Sequence, residues 1–322
     1  MTGRAGVVWI LAAVGALALM VLAGCASGAG RSAAIEEAYP PTGRFIEVER
    51  ARLHYEITGP DSAPAVLVLH GASGNLHEPK LALGEAFSDY RAIWLDRPGL
   101  GWSERPRDGG PWTPEREAAL INAFLDELGQ DRVFVVGHSW GAAITLRVLM
   151  DHPGRAAGAV LIAPAVRANV GEAAFYNRLT GWPVVGTILT RAVVPAIGPG
   201  GLREGATSAF QPAEPPENYV ENAFLPLILR PGPWRNNAAD MARVNTSLEA
   251  QEGRYDQIAQ PVIIVASRGD TVVLTDRHAV PVAETVQNGE LRLIEGEGHN
   301  LHHGHPDMIA AALADVIARA GR

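Results

Sequence analysis

A series of short apolar runs constrains this chain more than any other feature. Ala65-Val-Leu-Val-Leu69, Ala92-Ile-Trp-Leu95, Val133-Phe-Val-Val136, Ala159-Val-Leu-Ile162 and Val262-Ile-Ile-Val265 are apolar throughout, and Leu291-Arg-Leu-Ile294 nearly so. A strand that is apolar at successive positions has no polar face to offer water, so it must be covered on both sides. Helical patterns lie between the runs. Leu120, Ile121, Phe124, Leu125 and Leu128 recur at helical spacing after Pro114, the stretch from Trp140 to His152 is helical until Pro153, and Met308, Ile309, Ala312, Leu313, Val316 and Ile317 share one face. Buried strands alternating with helices predict an α/β class with a mostly parallel twisted sheet and helices on both faces. Ahead of them, 45–49 and 53–57 alternate apolar and polar residues, as two strands of a hairpin do. The rhythm breaks over 166–257, which is rich in proline and aromatic residues, among them Phe175, Tyr176, Trp182, Phe210, Phe224 and Trp234. That stretch is expected to be a helical cap inserted into a core of 44–165 and 258–322, with its aromatic residues walling an apolar pocket.

Gly137-His138-Ser139-Trp140-Gly141 follows one buried run and opens a helix. G-x-S-x-G in that setting makes a sharp strand-to-helix turn whose serine projects out of the sheet. The glycines keep side chains out of a crowded turn. The Trp140 amide sits at a helix start, where it can stabilise an oxyanion. A serine needs a base, and a neutral imidazole suits that task near neutral pH. Of ten histidines, His299 is best placed, in a loop between the last apolar run and the last helix. Asp270 is the first carboxylate after Val262–Val265, with Asp276 its rival. Such an acid holds the imidazole tautomer and stabilises the imidazolium. His302, His303 and His305 lie close by, but no local carboxylate or cysteine spacing matches a metal pattern, so no metal is expected.

Together with Asp96-Arg-Pro-Gly-Leu-Gly-Trp-Ser103, to which we assign a structural role, these motifs resemble the α/β-hydrolase superfamily from about Phe45 to the C-terminus. The likeness is to the branch whose cap lies between the sixth and seventh core strands. It implies the α/β-hydrolase fold and the chain order Ser139, Asp270, His299 for a catalytic triad. It also implies that the turn His70-Gly71-Ala72-Ser73-Gly74 supplies a second oxyanion donor, the amide of Ala72, with Ser73 as the alternative. Relatives that open epoxides or displace halide carry aspartate where this chain has Ser139, which argues against both activities. The expected function is acyl transfer to water without a cofactor, on a small-molecule carboxylic ester with a hydrophobic portion. Carbon–carbon bond hydrolysis and amide or peptide hydrolysis are the alternatives within the fold, and a non-catalytic binding lipoprotein is the alternative of another class.

The N-terminus carries separate information. Arg4 is followed by a run without charge from Val7 to Leu22, and then by Ala23-Gly24-Cys25. This pattern predicts a signal peptide over 1–24. The ending resembles the bacterial lipobox, which implies lipidation of Cys25, the only cysteine, with 25–43 as a tether. The expected protein is therefore exported and held at a membrane face by lipid. The net charge of −8 argues against a nucleic-acid partner. The oligomeric state is not legible.

Overall fold

Eight strands form one sheet in the order β1-β2-β4-β3-β5-β6-β7-β8 in a computed structural model that describes residues 2–106, 110–170 and 174–321. The strands are β1 (Arg44–Val48), β2 (Ala51–Thr58), β3 (Ala65–Leu69), β4 (Arg91–Leu95), β5 (Val133–His138), β6 (Ala156–Ile162), β7 (Pro261–Ser267) and β8 (Asn288–Ile294). The hairpin β1–β2 pairs antiparallel with β4, and the six strands from β3 to β8 are parallel. The apolar runs are these parallel strands, and the alternating segments are the hairpin.

Alternate residues of each central strand feed two cores. Leu67, Leu69, Val133 and Val135 face helices α3 (Pro114–Glu127) and α4 (Trp140–Asp151), packing with Leu120, Phe124, Ile144 and Leu146. Val66, Val68, Val136 and Val160 face the other way, where Leu83 of α2 (His77–Leu83) joins Ile309, Leu313 and Val316 of α12 (Pro306–Ala320). Thr113 caps α3 through its hydroxyl, which accepts from the Arg116 amide, and Pro114 opens the first turn.

Between β6 and β7 lie α5 (Phe175–Thr180), α6 (Pro183–Ile188), α7 (Val194–Phe210), α8 (Tyr219–Asn222), α9 (Pro231–Ala242) and α10 (Val244–Glu252), with α11 (Thr275–Thr285) following β7. A π-helical turn, Leu189–Val193, joins α6 to α7. The last part of this insertion belongs to the main core. Val244 and Leu248 of α10, with Tyr255, pack into the core beside α4, and Gln251 Nε2 donates to Ala143 O. The aromatic residues do not jointly wall a pocket. Phe175, Tyr176 and Trp182 are exposed on the outside, whereas Phe210 packs on Tyr219 and His303, and Phe224 stacks on His77.

The stretch expected to be a tether is instead helical as far as Ala38, within α1 (Thr2–Ala38). Its end is docked: Ile35 packs with Val194, Ile228 and Leu229, and Glu36 pairs with Arg230 at 3.3 Å. Just beyond it, Tyr39 O accepts from Trp102 Nε1. An alanine-rich segment that partly buries an isoleucine and pairs a carboxylate has reason to stay helical.

Candidate active site

The Ser139 backbone has φ 53° and ψ −118°, outside the regions that L-residues favour. Such a conformation costs on the order of 1–3 kcal/mol and persists only where its surroundings impose it. Here the Ser139 amide donates to Ile162 O, and its carbonyl accepts from the amides of Ala142 and Ala165. The flanking glycines are required by space. A Cβ on Gly137 would lie 2.3 Å from Thr145 Oγ1, and one on Gly141 would lie 2.3 Å from Leu69 O. The serine is thus clamped at the C-terminal edge of the parallel strands, with α4 starting at the next residue.

His299 Nδ1 lies 2.7 Å from Asp270 Oδ2, and both residues are buried. The other carboxylate oxygen of Asp270 accepts from the amides of Val272 and Val273, so all its directions are fixed. Because a carboxylate only accepts, Nδ1 carries the proton and Nε2 is the nitrogen available as a base. Asp276, the rival acid, is exposed and lies 3.7 Å from Arg268. The loops that bear Asp270 and His299 are joined directly. Ser267 Oγ donates to Glu297 O and accepts from the amides of Glu297 and Gly269. His138 spans from the nucleophile turn to the same loop, with its Nε2 3.2 Å from His299 O and its ring 4.9 Å from that of His299.

The glycine turn after β3 lies against the serine, since a Cβ on Gly71 would come within 3.1 Å of Ser139 Cβ. Gly71 O accepts from His70 Nδ1 at 2.8 Å and from Arg97 Nη1 at 3.2 Å. The C=O and N–H of a trans peptide point in opposite directions, so anchoring this carbonyl fixes the direction of the Ala72 amide. Arg97 is itself held by a buried two-pronged pair with Glu117, at 2.6 and 3.1 Å. His70 Nε2 accepts from the Arg97 amide, which sets the imidazole as neutral and protonated on Nδ1. Burial, and then the nearby Arg97 charge, push its pKa down to about 4. The Ser73 amide donates to Asn237 Oδ1 of α9 at 2.7 Å, and Asn237 Nδ2 donates to Ser73 Oγ. Ser73 is therefore engaged by the cap, and of the two amides considered in this turn Ala72 is the one left for an incoming oxygen.

Asp96 has the structural role expected of it. Its carboxylate accepts from the amides of Leu76 and Trp102 and lies 2.8 Å from His54 Nδ1. Although burial opposes ionisation, those partners hold its pKa below the usual value.

Sequence reasoning missed Glu78. This buried carboxylate on α2 lies 3.0 Å from His302 Nε2 and 2.9 Å from His303 Nε2, and accepts from Tyr219 OH at 3.2 Å, all through Oε1. Asn300 Nδ2 donates in turn to Tyr219 OH. One carboxylate thus ties α2, the cap helix α8 and the loop that follows His299. Burial works against its charge, but the two imidazoles hold its pKa well below the ordinary range. Glu78, His302 and His303 also form a donor set whose atoms lie within 4.8 Å of one another, which could hold a metal ion. The carboxylate comes from more than 200 positions away in sequence, so local spacing gave no sign of it. The site is closely covered: Ser139 is buried, and a cavity of about 940 Å³ lies elsewhere, between Trp102, Arg105 and α9.

A family model described as alpha/beta hydrolase fold matches residues 64–184, which carry both the Gly71 turn and the Ser139 turn. The chain has the α/β-hydrolase fold. It is 28% identical over 283 residues to a haloalkane dehalogenase of Psychrobacter cryohalolentis, spanning 84% of this chain and 89% of that protein. It is also 28% identical over 110 residues to epoxide hydrolase 1 of Caenorhabditis elegans, a match spanning 34% of this chain and only 27% of the relative. Among solved structures, the hydrolase fold here superposes on Est816, an N-acyl homoserine lactone degrading enzyme, with a TM-score of 0.63 and 25% identity, over 84% of this chain and 99% of that one.

The Glu78 cluster gives a direct test of what holds the site together. In Glu78→Gln the amide oxygen can keep the three donors, but the amide nitrogen then takes the place of Oε2, which is buried without a partner. With charge assistance also lost, the variant is expected to be less stable by about 1–3 kcal/mol in thermal or denaturant melts. His305→Ala, which removes a half-buried partner of Glu297, should change stability by less than about 0.5 kcal/mol. Equal stability of Glu78→Gln and the parent would contradict this role.

Proposed function

We propose that the chain is a serine hydrolase that works by acyl transfer to water, with Ser139 as nucleophile, His299 as base, Asp270 as orienting acid, and the Ala72 and Trp140 amides as oxyanion donors. The observation that carries this reading is the strained Ser139 turn beside a His299 whose Nδ1 is committed to Asp270. His299 Nε2 takes the serine proton as Oγ attacks a carbonyl carbon. The carbonyl oxygen takes the negative charge within reach of the two amides. Collapse expels the alcohol, which receives the proton from His299. Water, deprotonated by the same imidazole, then cleaves the acyl-serine and regenerates the free hydroxyl.

Relatives named for halide displacement and epoxide opening raise the question of those reactions here. The nucleophile answers it. A carboxylate that displaces halide or opens an epoxide forms an ester, which activated water can cleave. The Ser139 hydroxyl doing the same would form an ether, which has no carbonyl for water to attack, so turnover would stop after one event. A carbonyl substrate is the chemistry that suits Ser139, and a carboxylic ester is the reading we favour. The likeness to a lactone-degrading enzyme supports it, because a lactone is a cyclic ester. Carbon–carbon and amide substrates need the same triad but a poorer leaving group. The outward position of Phe175, Tyr176 and Trp182 removes one reason for expecting a hydrophobic ester. A hydrophobic portion stays in the proposal on the closed, buried setting of the serine.

We place the enzyme at an extracytoplasmic membrane face, by lipid on Cys25. The support is the uncharged run that ends at Leu22-Ala23-Gly24-Cys25.

Two experiments test these proposals. Asp270→Asn should lower kcat on a chromogenic ester by several orders of magnitude, on the order of 10⁴ by the precedent of the serine proteases. Asp276→Asn, altering an exposed carboxylate, should leave it near the parent value, and the reverse ranking would move the acid to Asp276. For location, mass spectrometry of protein purified from bacterial membranes should find a diacylated Cys25 at the mature N-terminus. An unmodified terminus at any other residue would defeat the lipid proposal and leave the catalytic one standing.

A further inference from the structure

Large apolar side chains are exposed in few places, and most of those places adjoin one another. Thirteen such side chains are exposed among those described. Six lie on the first half of the cap: Phe175 (73%), Tyr176, Trp182 (59%), Val184 (71%), Val185 and Ile197 (71%). Four more, Trp9, Val14, Leu19 and Leu22, are on α1. The two groups belong to packed elements. α1 crosses the turn Leu189–Val193 so closely that a Cβ on Gly28 would lie 1.6 Å from Arg191 O, and one on Gly24 would lie 3.1 Å from Ala192 Cβ. Cys25 sits on α1 between these two glycines.

We infer that the outer face of α5, α6 and the start of α7 is a docking surface for a lipid bilayer. Three features select this occupant over a protein partner. First, α1 carries no charged residue from Ala5 to Gly30, and it leaves the cap at the patch itself. Whether that apolar helix is retained in the membrane or is removed and replaced by acyl chains on Cys25, hydrocarbon starts beside Ala192. Second, the charge of the segment is opposite to that of the chain. Residues 174–200 hold Arg178 and Arg191 and no carboxylate, within a chain of net charge −8. Arginines around tryptophan, tyrosine and aliphatic residues suit the boundary between anionic headgroups and acyl chains. Third, Pro183–Phe210 is apolar enough by length and composition to lie in a membrane, and only 22% of its most apolar window is buried. The inference rests on the proposed membrane attachment of the N-terminal segment and not on the catalytic reading.

The test uses the full chain, purified from membranes in detergent and reconstituted into vesicles of phosphatidylethanolamine and phosphatidylglycerol. A trace of phospholipid with a photoactivatable diazirine on one acyl chain reports contact with lipid. After illumination and trypsin digestion, the peptide Leu179–Arg191 should carry lipid adducts. Gly269–Arg277, which exposes Val272 and Leu274 far along the chain, should carry none. The double variant Trp182→Ser, Val184→Ser should lose the adducts on 179–191 while keeping ester hydrolysis in detergent. Equal labelling of the two peptides, or labelling confined to residues before Leu179, would overturn the inference.

Discussion

The backbone of Ser139 cannot relax into an ordinary conformation without moving β5, α4 or both, and the site is organised around that constraint. Its amide is tied to β6 and its carbonyl to the first turn of α4 and to the chain leaving β6. Glycines on either side admit the neighbouring strand and helix at distances no side chain would allow. The strain is offset by the packing of the parallel strands, whose central residues are wholly buried. A sheet that is apolar on both faces is therefore also what keeps a hydroxyl projecting at its edge.

Around this turn the other groups are held by buried polar contacts rather than by their own loops. The Gly71 carbonyl is fixed by His70 and Arg97, and Arg97 by Glu117, so an ion pair on α3 sets the direction of the Ala72 amide. The His299 loop is fixed from four sides: by Ser267 of the Asp270 turn, by His138 of the Ser139 turn, by Glu78 on α2, and by the end of α7, where Asn300 N donates to Ala209 O. The buried Arg97, Glu117 and Asp270 charges have partners on their polar atoms, as a low-dielectric interior demands, whereas Glu78 is met through Oε1 alone. The cap touches both halves of the site, through Asn237 at Ser73 and Tyr219 at Glu78. A shift of the cap would thus be felt at the Gly71–Ser73 turn and at the His299 loop together.

The strands, the nucleophile turn and the loops of Asp270 and His299 were legible in the sequence because each depends on a local pattern: a continuous apolar run, two glycines about a serine, a carboxylate or imidazole just past a strand. What escaped was non-local or depended on direction. Glu78 meets His302 and His303 across more than 200 residues, so no spacing rule joins them. Aromatic content located the inserted segment but not which way its rings point, and Phe175 and Trp182 face outward where a pocket wall was expected. The segment after Cys25 read as a spacer by its small residues. One of them, Gly28, lets α1 lie against the backbone carbonyl of Arg191, a contact that only the folded cap supplies.

The central claim is that Ser139 becomes covalently acylated. Incubation of the intact enzyme with a fluorophosphonate probe, followed by digestion and mass spectrometry, tests it most directly. The account predicts one phosphonyl adduct per chain, mapped to Ser139, absent from Ser139→Ala and much slower to form in His299→Ala. An adduct at another residue, or equal labelling of Ser139→Ala, would contradict it.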